Sequence, residues 1–141
     1  TPKIVVCPSD QRTEATTFNT ATAAAVGQVN FNKNDRVSYF VGLDSDETAP
    51  QSLLSGDRNI TNNVRTLMTM AKIVQLGTNQ PATLTGNQAT AAGWTKDIHQ
   101  SSGDVCMGDG SVQQFSTLRL REALRNSGAS SQQGNVTALP N

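Results

Sequence analysis

Long hydrophobic runs are missing from this chain: none approaches the ~20 consecutive apolar residues that a membrane-spanning helix requires, and no signal-peptide pattern opens it. An excess of one charge is missing too. Lysine plus arginine number 11 and aspartate plus glutamate number 11, so no basic stripe is available to hold a phosphate backbone, and nucleic-acid binding is not expected. There is one histidine, His99, which cannot build a histidine-rich metal centre. The two cysteines, Cys7 and Cys106, stand in no C-x-x-C or C-x-x-H spacing. Neither a Gly-x-Ser-x-Gly nucleophile elbow nor a glycine-rich phosphate loop occurs. What is abundant instead is Thr, Asn, Gln, Ser, Ala and Gly, a profile that suits an extracytoplasmic β-rich surface. The 141 residues fit one domain with room for a real core.

The stretch from Trp94 to Val112 organises the rest. At its centre, Asp109-Gly110 has easy access to positive φ and predicts a two-residue type I′ hairpin turn. In that register Met107 faces Val112, with Val105 on the same face, while Cys106, Gln113 and Phe115 point the other way. The lone His99 lies upstream with nine residues between it and Asp109.

His99-x9-Asp109-Gly110, placed after Trp94 and before a Ser111-Val112 strand, resembles the H-x9-D-G family of prepilin-type proteins, known mostly from planctomycete and verrucomicrobial bacteria. Three further stretches resemble the same family: Val6-Cys7-Pro8-Ser9-Asp10, the strand from Ser38 to Asp44, and the segment from Pro50 to Asn59. The resemblance implies an α+β fold, a pilin-like globular head that is mainly antiparallel β-sheet with a short C-terminal helix. It also implies that a basic leader and a hydrophobic N-terminal helix, absent from this chain, anchor the subunit in the inner membrane. The implied function is structural: a pseudopilin-like subunit of a type II secretion or type IV pilus system, periplasmic or at the cell surface. Its partners would be copies of itself or related pilin-like subunits, with no catalysis and no required cofactor.

Along the chain, Lys3 to Val6 predicts a strand stopped by the Cys7-Pro8-Ser9-Asp10 turn. Arg12 to Val29 predicts a loop with one helical turn. Val37 to Leu43 alternates as a largely buried strand, with Val37, Tyr39, Val41 and Leu43 on one face and Ser38, Phe40 and Gly42 on the other. Pro50 suits the start of a helical turn leading to Leu53-Leu54, after which the segment from Gly56 to Thr61 reads as a polar edge strand or turn. Asp57 and Arg58, being adjacent, should face opposite ways, with one of them meeting the acidic loop or His99. Thr66 to Leu76 leans to strands, and Thr78 to Gly93 to a surface excursion. Ser116 or Thr117 caps a helix to about Ser127 that buries Leu120, Ala123 and Leu124, with Gly128 as its left-handed stop. Val136, Leu139 and Pro140 then pack back as a terminal strand or latch.

Four chemical readings come from these residues. Asp109 hydrogen-bonds its own turn, and His99 is a polar staple from that hairpin to a neighbouring segment; a triad using Ser101, Ser102 or Ser111 is the catalytic rival. Asp44, Asp46 and Glu47 form an acidic loop, either solvated or, since the resemblance includes calcium-binding members, a calcium site; the EF-hand template fails there. Cys7 and Cys106 either form a disulfide, closing a loop of about 100 residues worth roughly 4 to 5 kcal/mol in the chain-entropy model, or remain buried thiols. The rival function is an extracytoplasmic module that binds calcium or a glycan through the acidic loop and the Asp109 hairpin.

Overall fold

The structure, a computed structural model, describes residues 1–31, 34–62, 72–76, 92–129 and 135–140. Its strands are β1 (Tyr39–Gly42), β2 (Leu53–Asp57), β3 (Ile60–Asn62), β4 (Lys72–Gln75), β5 (Ala92–Trp94), β6 (Ser102–Met107), β7 (Val112–Ser116) and β8 (Val136–Leu139), with one α-helix, α1 (Thr117–Asn126), between β7 and β8. Six strands form one sheet in the order β4-β8-β1-β2-β6-β7, and β3 pairs with β5 in a separate ladder. Among the described residues, every pairing between these strands is antiparallel. The fold is therefore α+β and mainly antiparallel.

One face of the sheet is covered. Phe40, Leu53, Val105, Met107 and Phe115 pack there against Leu120 and Leu124 of α1 and against Ile60 and Trp94 of the small ladder. The helix follows the sequence pattern closely: Ser116 accepts a hydrogen bond from the Arg119 N–H, Leu120, Ala123 and Leu124 are its buried face, and Gly128 takes φ +83 just past its end.

The far face of the sheet is open. The registers Ile73↔Ala138, Val41↔Ala138, Val41↔Ser55, Ser55↔Cys106 and Cys106↔Val112 put these six residues in one row across all six strands. In that row Ile73, Val41 and Val112 are 65%, 52% and 69% exposed.

Several expectations change. Residues Lys3 to Val6 are not a strand; Pro2–Val5 is a 3-10 turn, with proline at its start fixing φ and supplying no ladder donor. Arg12 to Val29 holds no helical element and is pinned by a parallel bridge, Thr17↔Asn30. In the strand around Tyr39 the alternation is as expected, but only one of the two faces is buried. Phe40 and Ser38 are fully buried, while Val41 and Leu43 are half exposed. The fully apolar ring of Phe40 takes the buried face, where the partner Gly56 leaves room for it: a Cβ on Gly56 would lie 2.7 Å from the Phe40 ring.

Leu53–Asp57 is a central strand held between β1 and β6; of the segment expected as an edge strand or turn, Gly56 and Asp57 finish this strand, Arg58 and Asn59 turn, and Ile60 and Thr61 begin β3 in the two-stranded ladder. The C-terminal strand is likewise internal, between β4 and β1. Of the stretch expected as strands from Thr66 to Leu76, Lys72–Gln75 is β4; residues 66–71 lie outside the described residues. So does most of the expected surface excursion, although its end, Ala92 and Gly93, is buried in β5.

The hairpin at Asp109-Gly110 exists, with a different loop. Gly110 N–H donates to Met107 O at 2.9 Å and Met107 N–H to Ser111 O at 2.8 Å, so Gly108, Asp109 and Gly110 form a three-residue loop. Gly110 alone takes positive φ, +82, the arrangement of a type I turn closed by a left-handed residue. One extra loop residue slips the register by one and turns the second strand over. Gly103 pairs with Phe115 and Cys106 with Val112, so Phe115 joins Val105 and Met107 in the core while Val112 joins Cys106 outside.

Gly110→Ala should destabilise the protein by about 1–2 kcal/mol through backbone strain alone, since nothing lies within 4 Å of the added Cβ. Gly110→Asn should lose less, asparagine tolerating the left-handed region better. Urea unfolding of the two variants measures the difference.

Candidate functional site

The end of β2 gathers the polar residues. Asp57, Arg58 and Asn59 follow one another, and each side chain goes to a different segment. Arg58 forks onto Asp10, Nε to Oδ2 and Nη2 to Oδ1, both at 2.6 Å. Ser38 Oγ donates to the same Oδ2 at 2.7 Å, and the Asp10 side chain is fully buried. Asn59, also fully buried, donates from Nδ2 to Thr95 O, Ile98 O and Ser102 O at 3.1, 2.8 and 3.0 Å. The loop carrying His99 is thereby clamped.

Asp57, the last residue of β2, diverges from Arg58, the first residue of the turn that follows. Its Oδ2 accepts from the Asp104 N–H at 2.7 Å and stands 3.4 Å from His99 Nε2. Cys7 Sγ stands 3.4 Å from that same nitrogen, and Asp104 Oδ2 3.9 Å. Among the described residues, Cys7, Asp57 and His99 are the one group of three such side chains whose ligand atoms all lie within 4.8 Å of one another. Cys7 and Asp57 are buried and the His99 side chain is 22% exposed. His99 borders a surface depression together with Ser9, Lys96, Gln100 and Ser102. His99, Gln100 and Ser101 take φ of 48, 51 and 72, three consecutive non-glycine residues in the left-handed region, each at a cost of about 1–2 kcal/mol. Such strain persists where surrounding contacts over-determine it, and the Asn59 clamp is one of those contacts.

Electrostatics divide the two aspartates. Burial alone would push Asp10 up, but hydrogen bonds from Arg58 and Ser38 and the charges of Arg58 and Arg12 carry its carboxyl below the ordinary value. Burial pushes Asp57 up, and the Asp104 and Asp10 carboxylates add to that; the Asp104 N–H and His99 offset only part. Tyr39 on β1 is raised by burial and then by Cys7, Asp57, Asp104 and Asp10. The corner around His99 thus gathers several acidic side chains.

The stapling role expected for His99 is met by other partners. It sits before β6 and Asp109 after it, so the nine-residue spacing measures one strand of about 20 Å and not a contact. Asp109 Oδ1 accepts from the Ser111 N–H at 2.8 Å, and hydrogen bonding to Ser111 lowers its carboxyl. Its own N–H donates to Pro50 O at 3.2 Å, tying the hairpin to the loop before β2. Trp94 is buried in β5 against Gly103, where a Cβ would come within 2.5 Å of the indole. Pro8 lies in the turn closed by Asp10 N–H donating to Cys7 O at 2.9 Å.

The disulfide is not formed: Cys7 and Cys106 are both free. Cys7 turns toward His99, whereas Cys106 is on the open face of β6 with its thiol donating to Met107 O at 3.7 Å. The acidic loop does not fit calcium, because its carboxylates do not converge. Asp44 Oδ1 accepts from the Val136 N–H at 3.0 Å and Asp46 Oδ1 from the Thr48 N–H at 2.7 Å; Glu47 is exposed. Ser102 spends its hydroxyl on the His99 carbonyl at 2.5 Å, and Ser111 is at the far end of β6, so neither is set against the imidazole.

Sequence reasoning singled out His99 and left open whether Asp57 or Arg58 meets it or the acidic loop; in the structure Asp57 stands beside His99. Asp104, Asn59 and the approach of Cys7 were not legible, since residues 7, 57 and 99 share no spacing; only the motif-like character of Cys7-Pro8-Ser9-Asp10 marked that turn. Against protein-family models, curated proteins and solved structures alike, the chain gives no match.

Asp10→Asn should cost about 3–5 kcal/mol near neutral pH, the range for leaving a buried ion partner uncompensated. A lowered folded-state pKa contributes stability above the ordinary aspartate value that is lost as pH falls through the folded value. The gap between wild type and Asp10→Asn should therefore close as pH drops below about 4. Denaturant melts across that range check it; a gap constant with pH would contradict it.

Proposed function

We propose that this chain is the globular head of a pseudopilin-like subunit, a non-catalytic building block of a bacterial secretion or pilus filament. It works outside the cytoplasm and assembles with copies of itself or with related subunits. The observation that carries this reading is the convergence of the motif-like stretches. Asp10 from the first and Ser38 from the second meet Arg58 of the third, while its neighbours Asp57 and Asn59 hold the segment bearing His99. Residues that share a family-like pattern act here as a framework, joining loops to strand ends through buried hydrogen bonds. That use accounts for the pattern without any chemistry.

The open row across the sheet gives such a subunit a surface for assembly. Its apolar residues are aligned on one flat face, where burial against a neighbour contributes through the hydrophobic effect. The motif's own hairpin stays polar and exposed at Asp109 and Gly110, suited to presenting a loop. In the intact subunit a hydrophobic helix supplies the membrane anchor, and the head sets spacing.

The reading is tested first at the gene. The codons upstream of Thr1 should encode, in frame, a short basic leader and a run of about 20 apolar residues; continuation into a cytosolic enzyme domain would sink the proposal. In cells, Val41→Glu in the full-length protein should abolish co-purification with neighbouring pilin-like subunits. Since Val41 is exposed, its effect on folding should stay within about 0.5 kcal/mol.

A further inference from the structure

The geometry points to a transition-metal site of zinc type made by Cys7 Sγ, Asp57 Oδ2 and His99 Nε2. Three features separate this cluster from an ordinary polar contact. The first is the donor set. A thiol, an imidazole and a carboxylate together suit a borderline-soft divalent ion, and three protein ligands with a fourth position open to water are a common zinc arrangement.

The second is distance. With bonds of about 2.3 Å to sulfur and about 2.0–2.2 Å to nitrogen and oxygen, a tetrahedral ion holds its sulfur and nitrogen about 3.5 Å apart and its nitrogen and oxygen about 3.4 Å apart. Cys7 Sγ and Asp57 Oδ2 each stand 3.4 Å from His99 Nε2. Two of the three edges thus match a tetrahedron around zinc, and the third, from Cys7 Sγ to Asp57 Oδ2, lies within 4.8 Å.

The third is that all the groups converge on one ring nitrogen. In a nucleophilic relay, the thiol meets one imidazole nitrogen and the carboxylate holds the other. Here a single nitrogen faces Cys7, Asp57 and, at 3.9 Å, Asp104. One N–H or one lone pair cannot serve all of them. A cation at the centre satisfies them together, taking the thiol as thiolate, with its proton released to solvent.

Access and consequence agree with this assignment. The surface depression beside Ser9 and Lys96 reaches the His99 edge of the cluster, and Asp104, 44% exposed, is placed to hold a metal-bound water. The ligands come from the N-terminal turn, the end of β2 and the left-handed turn before β6, so the ion would tie three segments distant in sequence. It also balances the concentration of carboxylates at that corner. The site is independent of the subunit proposal: a head that binds no metal can still be a filament subunit.

Cobalt(II) is the probe, added to metal-free Cys106→Ser protein, in which Cys7 is the single remaining thiol. One equivalent should give a thiolate-to-cobalt charge-transfer band and tetrahedral d–d bands in the visible. Zinc should bleach both, and a large excess of calcium neither. His99→Gln should weaken cobalt binding by more than about 100-fold, beyond the upper end of an outer-shell effect. Zinc should also raise the melting temperature of wild type, a readout that needs no variant to fold. Absence of the charge-transfer band in Cys106→Ser, or displacement by calcium as readily as by zinc, overturns the assignment.

Discussion

Three consecutive residues at the end of β2, Asp57-Arg58-Asn59, hold the described structure together at its polar corner. The strand ends at Asp57 and the chain turns at Arg58 and Asn59, and that change of direction lets three adjacent side chains reach three segments at once. Arg58 fixes the N-terminal turn through Asp10, Asp57 fixes the start of β6 through the Asp104 N–H, and Asn59 fixes the loop between β5 and β6 through three carbonyls. Each of these partners is buried or partly buried, so each interaction acts where water competes least. The left-handed run at His99, Gln100 and Ser101 is sustained in this setting.

That corner also decides what the fold can do. Burial of Asp10 beside two arginines makes one carboxylate a stable anion. Burial of Asp57 beside other carboxylates leaves a second one electrostatically unsatisfied, next to the single imidazole and a free thiol. The first is framework and the second is a place for a cation. Meanwhile the helix and the small ladder close one face of the sheet, and the other face remains open with an apolar row. Assembly through the open face and metal binding at the corner are compatible, because they use opposite features of the same sheet.

Much of this was legible from local patterns. The helix from Thr117 was, because its cap, its apolar spacing and its terminal glycine are all local. The alternation around Tyr39, the turn after Cys7 and the divergence of Asp57 and Arg58 were legible for the same reason. The hairpin was found at the right residues and in the wrong register, since Asp-Gly fits a two-residue loop as readily as the last two places of a three-residue one. That single residue moved Phe115 into the core and Val112 out of it. Which face of that strand is buried, Phe40 in and Val41 out, was not legible, because it depends on Gly56, a partner on another strand that no window around Tyr39 contains.

By itself the sequence determined the helix, the charge balance and the small set of residues able to carry chemistry, because composition and near-neighbour spacing suffice for these. Only the tertiary structure decided which face of each strand is buried, that Cys7 meets His99 and not Cys106, and that Asp44, Asp46 and Glu47 stay apart. Those outcomes depend on strand register and on segments separated by up to 92 residues, and the free energy that selects among them resides in packing and buried hydrogen bonds formed only when the whole chain closes.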